Sequence, residues 1–239
     1  MKNVILACRI LEDEVLAALK NTGCAAPVIW LEASLHLHPE KLKSALQRHI
    51  DELGNVDNIL LTFGLCGNSV IGLKSAEASL VLPHCNDCIE MLLKYPRAKL
   101  PEQETKGCYF LTRGWTKDER SLAREVDHYF ARYGQARAKR ILKTMLGRYR
   151  SLVVLDTKSY PLEGFLAMAG ELAAKLDLEL SVYEGSTSQL EHLFAGLWDD
   201  AFRIIPPGMA VTFEHFYTVA GAGALVNQLS GETAASRAP

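Results

Sequence analysis

The sequence predicts an α/β fold built on an open, mainly parallel sheet with flanking helices, and it leaves room for two Rossmann-like lobes. Two observations predict it. Apolar runs such as NILLTFG (58–64) and SLVVLDT (151–157) do not alternate with polar residues, as expected of strands covered by helices on both faces. These runs also trade places with helical segments in a βα rhythm. That topology gathers functional residues just beyond the carboxyl ends of strands.

In chain order, NVILA (3–7) is a buried strand and EDEVLAALKNTG the helix after it. VIWLE (28–32) is a second strand, and Pro39 opens a helix running to about Leu53, since proline suits a first helical turn. NILLTFG leads directly into the turn GLCGNS, and the strand ASLVLP (78–83) leads into a helix starting near CNDCIEMLL. The rhythm breaks at the polar connection PRAKLPEQETKG, followed by a short strand in CYFLTRGW (108–115) and two helical segments parted near Gly134. SLVVLDT resumes the pattern with a helix to about Lys175. LELSVYEG (178–185) and SQLEHLFAGLW (188–198) form another strand–helix pair, and FRIIPPG closes with a strand and a turn. The organisation expected is a lobe over 1–100 carrying the cysteine turns, a connecting segment with a basic face over 101–150, a second α/β portion over 151–229 and a flexible tail over 230–239.

The chain has 239 residues, 49% hydrophobic and 23% charged, with a net charge of −2, so no global charge draws it to nucleic acid or anionic lipid. No signal peptide is visible, and no apolar run approaches the roughly 20 residues of a membrane span. Six cysteines in a chain of this length do not read as a secreted disulfide framework. A cytoplasmic setting, with reduced thiols, is expected.

Cys8, Cys66, Cys85 and Cys88 all follow strands, so a parallel sheet carries them to one edge. Three readings stay open: a zinc or iron–sulfur site, for which soft thiolates are suited; a redox or nucleophilic thiol; or small side chains in tight turns. His84 offers a nitrogen to the same metal set. The turn around Cys66 brings Gly64, Gly67 and Asn68 as candidate cofactor contacts, and Asp87 and Asp156 are candidate catalytic carboxylates. His36 and His38, spaced by two, would share one face of an extended segment. Arg113 could clamp an anion bidentately while Trp115 stacks on a ring. Seven basic residues and no acid occupy Arg132–Arg150, a helix face for an anionic cofactor tail, a phosphate or an acidic partner, or simply for solvent. No Walker loop, G-x-G-x-x-G, serine elbow or H-E-x-x-H is present.

Taken in order, Cys8, LHLHP, FGLCGNS, PHCNDCI, CYFLTRGW and LDT followed by Tyr160 resemble the DUF1638 family over nearly the whole chain. The family's YGLCG-like, HDCI-like and TYYLT-GW segments fall on Cys66, Cys88 and Trp115, with Cys8 at the first strand's exit. Asn86 stands where the HDCI pattern has histidine. The resemblance implies a metal or cluster held by Cys8, Cys66 and Cys88, with Cys85 or His84 as fourth ligand, and an association with corrinoid-dependent methyltransferase systems. The resulting expectation is a cytoplasmic metalloprotein of one-carbon or methyl-transfer metabolism. The alternatives are a non-enzymatic cofactor-binding or accessory protein of a corrinoid methyltransferase, and a thiol redox protein. Its expected partners are a small-molecule or cofactor ligand, with neither membrane nor clear nucleic acid.

Overall fold

Strand β1 (Asn3–Cys8) is the apolar run nearest the start of the chain, and Ile5, Leu6 and Ala7 lose all solvent contact in a computed structural model that describes residues 1–94, 107–117 and 121–217. The expected tail over 230–239 and most of the polar connection before β5 lie outside the described residues.

The architecture is mixed α/β with two mostly parallel sheets. The first is ordered β2-β1-β3-β4-β8, from β2 (Val28–Leu31), β3 (Asn58–Leu61), β4 (Ser79–Pro83) and β8 (Phe202–Ile205). Its first four strands are parallel and β8 runs antiparallel to β4. The second sheet, all parallel, is ordered β5-β6-β7, from β5 (Cys108–Leu111), β6 (Ser151–Asp156) and β7 (Glu179–Glu184). Every residue of β3 is buried, which accounts for its unbroken apolar sequence.

The helices are α1 (Glu12–Thr22), α2 (Pro39–Glu52), α3 (Cys88–Leu92), α4 (Gly114–Lys117), α5 (Leu122–Leu146), α6 (Leu162–Leu176) and α7 (Ser188–Ala195). Pro39 occupies the first turn of α2, and Leu42, Leu46 and Ile50 form its buried stripe. Helix α1 collects three acids in its first turn, where the helix dipole favours them, and stops at Gly23 in the left-handed region. Gly134 breaks the helical geometry inside α5 (φ 69°, ψ 170°), at the place where the sequence parts into two segments.

Three buried clusters form the core, and Trp115 packs against all of them. The turn after β5 presses on the turn after β1: a Cβ built on Gly114 would lie 1.7 Å from the Ile10 carbonyl oxygen. Leu93 bridges Gly185, and the Ser186 amide donates to the Leu92 carbonyl at 2.8 Å. The strand ends of the two sheets therefore meet. Among the described residues no helix is long and apolar enough to cross a membrane.

Candidate functional site

At the edge of the first sheet the two cysteine turns are stitched together by their backbones. The Leu65 amide donates to the Cys85 carbonyl at 2.9 Å and the Cys66 amide to the Asn86 carbonyl at 2.8 Å. Gly64 is required here, because a Cβ would stand 2.5 Å from the Cys85 carbonyl oxygen and 2.8 Å from its Sγ. Cys66, Gly67 and Asn68 follow with φ of 44°, 65° and 72°, three successive residues in the left-handed region that only glycine enters without strain.

The thiols of Cys8, Cys66 and Cys88 lie within electrostatic reach of one another, and Cys85 lies within reach of Cys66 and Cys88. Burial pushes the Cys66 thiol up to about 12, with the neighbouring Cys8 and Asp87 adding to the shift. Burial likewise drives Cys85 and Cys88 well above 9.0, so all three are held protonated at neutral pH. None of the six cysteines forms a disulfide.

The expected metal centre is corrected on this geometry. Among the described residues no group of three or more His, Cys, Asp or Glu side chains is placed to hold a metal ion. His84 is committed elsewhere: its Nε2 faces the Phe216 carbonyl at 2.9 Å and its Nδ1 faces the Arg203 guanidinium at 2.8 Å. Asp87 caps α3 by accepting the Glu90 amide at 2.8 Å. The zinc and iron–sulfur assignments to Cys8, Cys66, Cys85, Cys88 and His84, and the corrinoid-linked methyl chemistry built on them, are set aside. The raised thiols also oppose a reactive thiolate. His36 and His38 depart from expectation too, since Ala33–Leu37 winds into a short 3-10 turn rather than an extended segment.

The second sheet ends differently. Beyond Asp156 a groove of about 450 Å³ runs between α1 and the loops that follow β6 and β7. Lys20, Asn21, Thr157, Lys158, Ser159 and Thr187 supply its polar lining, with Asp13 beside them. Arg113 is not available to clamp a ligand with its full fork: its Nε donates to Asp13 at 2.8 Å, and Lys117 reaches the same carboxylate at 3.0 Å. Burial raises the Asp13 carboxyl, but hydrogen bonds from Arg113 and Lys117 and their positive charges outweigh it and hold the carboxyl below 3.8. Asp156 is buried, accepts the Lys158 amide at 3.2 Å and pairs with the Lys158 ammonium.

Directly behind the groove stands Glu14, with no exposed surface. The Thr157 hydroxyl donates to its Oε1 at 3.1 Å, while its Oε2 is buried without a partner among the described residues. Burial raises this carboxyl to about 7. The charge of Asp13 adds to that rise, against the opposing pull of its own amide, Thr157 and Lys117. Two more buried polar atoms lack partners among the described residues, Thr112 Oγ1 just after β5 and the Trp115 indole Nε1 on α4. The Trp115 ring meets His36 edge-on at 4.8 Å.

Sequence reasoning named Asp156, Arg113 and Trp115 and missed Glu14, Lys20 and the role of Thr157. A signal for Glu14 exists: Val15 and Ala18 are buried on α1, Leu11 is buried just before it, and position 14 falls at helical spacing from Leu11 and Ala18.

The model of a family described as a protein of unknown function, DUF1638, matches residues 30–194. No curated protein and no solved structure matches the chain.

Proposed function

The chain belongs to the DUF1638 family, and from that premise we propose that it binds a small organic anion in the groove beyond β6 and β7, with Glu14 exchanging a proton with the ligand through Thr157. One observation carries the reading. A fully buried carboxyl with one unpartnered oxygen accepts the hydroxyl of Thr157, a residue that lines an open groove. Leaving a buried polar atom unpaired costs about 1–3 kcal/mol, and native proteins keep few of them.

The lining suits an anion. Lys20 makes no ion pair among the described residues, and the Lys158 side chain is 75% exposed although it touches Asp156. Asp13 offers little repulsion because two cations neutralise it. The hydroxyls of Thr157, Ser159 and Thr187 already donate within the protein, to Glu14, the Thr157 carbonyl and Glu191, so toward a ligand their oxygens are acceptors. Proton exchange follows from the bond directions: a ligand O–H donates to Thr157 Oγ1 as the Thr157 proton passes to Glu14 Oε1. A carboxyl near 7 is divided between its acid and base forms at neutral pH, which suits it to general acid–base work. In this reading the site sits where two Rossmann-like lobes, the first over 1–100, adjoin.

Calorimetry with acetate, malonate, lactate and inorganic phosphate, repeated in buffers of different ionisation enthalpy, tests the proposal. At least one anion should bind with proton exchange near pH 7. Thr157→Val and Lys20→Glu should each weaken it about tenfold, the loss of one charge-assisted hydrogen bond. Glu14→Gln should retain binding and lose the proton exchange. Binding unchanged in both groove variants, or no binding of any of the four, would overturn it.

A further inference from the structure

We infer that the outer face of α5 docks an acidic segment of another protein that brings one large apolar side chain. Between Arg132 and Arg150 lie seven exposed cations and no acid. Among the described residues none of the seven makes an ion pair, in a chain whose net charge is −2. Unpaired cations concentrated in one stretch, α5 and the residues just after it, of an otherwise balanced molecule form a local positive field that attracts a negative partner.

That field borders a cavity. A groove of about 280 Å³ lies between the second half of α5 and the end of α6, with Leu142, Leu146 and Leu178 inside and Lys139, Arg140 and Lys143 along one side. Lys175 and a single carboxylate, Asp177, complete its edge. This volume sits at the small end of ligand pockets, which run from about 300 Å³, and suits one bulky side chain. The cations run on past it in both directions: twelve residues of α5 after its break at Gly134 span roughly 18 Å at 1.5 Å per residue. A small anion would use only part of that length. An extended acidic chain with a central apolar anchor uses all of it, in the usual pattern of a buried anchor inside a charged rim.

Nucleic acid fits less well. The ring of Tyr133 is flanked by Arg132 at 5.5 Å and Arg137 at 5.3 Å, and Tyr149 is set edge-on against Tyr109 at 5.2 Å. The tyrosines among these cations are thus engaged rather than presented as stacking platforms for bases.

The test is fluorescence anisotropy with the full chain and a labelled glutamate-rich peptide carrying a central Leu-Trp pair. Binding should weaken steeply with salt and fall about tenfold or more in the combined Lys139→Glu, Arg140→Glu, Lys143→Glu variant, because close charge pairs dominate such contacts. The same peptide with glycines replacing Leu-Trp should bind about fivefold more weakly to the unaltered protein, a readout that does not depend on the variant folding. Failure of the peptide to bind at low salt overturns the inference. So does equal affinity for the glycine peptide, or tighter binding of oligothymidylate or of phosphatidylserine vesicles.

Discussion

At the carboxyl ends of the first sheet, backbone meets backbone: Gly64 lies against the Cys85 carbonyl, two amides cross to the facing turn, and three thiols are held protonated. At the corresponding ends of the second sheet, hydroxyls and lysines face a groove and a buried carboxyl keeps one oxygen unpaired. Both regions follow the same topology, so strand direction alone does not make a site. The difference is closure. The contrast is one of degree: where the cysteine turns satisfy each other's backbone, the Ser69 hydroxyl is the one buried side-chain atom left without a partner among the described residues, whereas beyond the second sheet Glu14 Oε2, Thr112 Oγ1 and the Trp115 indole all keep unused bonding capacity.

The largest way to break this arrangement is at the seam between the sheets. Gly114→Ala places a methyl 1.7 Å from the Ile10 carbonyl oxygen and 2.7 Å from its carbon, backbone atoms that cannot rotate aside. Urea unfolding should show a loss above about 3 kcal/mol, the upper range of overpacking. Gly64→Ala meets the Cys85 carbonyl oxygen at 2.5 Å and should cost about 1–3 kcal/mol. A neutral Gly114→Ala would mean that the two sheets do not press together there.

Titration of Glu14 sharpens the comparison next. Its folded carboxyl, raised from 4.5 to about 7, favours the protonated form, so its contribution to stability is complete below about 4.5 and is lost as pH rises through 7. The full difference is at most about 3 kcal/mol, at 1.36 kcal/mol per unit. Unfolding free energies at about pH 5 and about pH 8 should differ by less in Glu14→Gln than in the unaltered protein. Parallel pH curves for the two proteins would remove Glu14 from the site.

Much of this fold is legible in the sequence because burial on both faces writes itself as unbroken apolar runs: β3 and β6 follow from NILL and SLVVLD, and Gly134 marks the break in α5. The site is legible only by halves. Asp156 stands out because it ends a strand. Glu14 sits inside the acidic triplet EDE, which reads as the solvated first turn of a helix. Its meaning comes from Thr157, 143 residues away, whose hydroxyl arrives only once the second sheet packs on α1. The cysteine turns mislead for the opposite reason. Ligand-type residues gather at one edge, but spacing along a chain does not record whether His84 has spent both nitrogens or Asp87 has turned to cap a helix.

Asp87 gives the smallest expected effect and the one that separates the two regions. If its task is to cap α3, Asp87→Ala should cost about 1 kcal/mol, and Asp87→Asn should cost only a few tenths because asparagine caps nearly as well. The carboxylate also helps hold Cys66, Cys85 and Cys88 protonated, so both substitutions should speed iodoacetamide labelling of these thiols. Neither should alter anion binding in the groove, which is built from α1 and the loops after β6 and β7. Loss of that binding in Asp87→Asn, with stability intact, would reverse the roles assigned to the two sheets: the closed turns would then carry the chemistry, and the groove beside Glu14 would be only a surface feature.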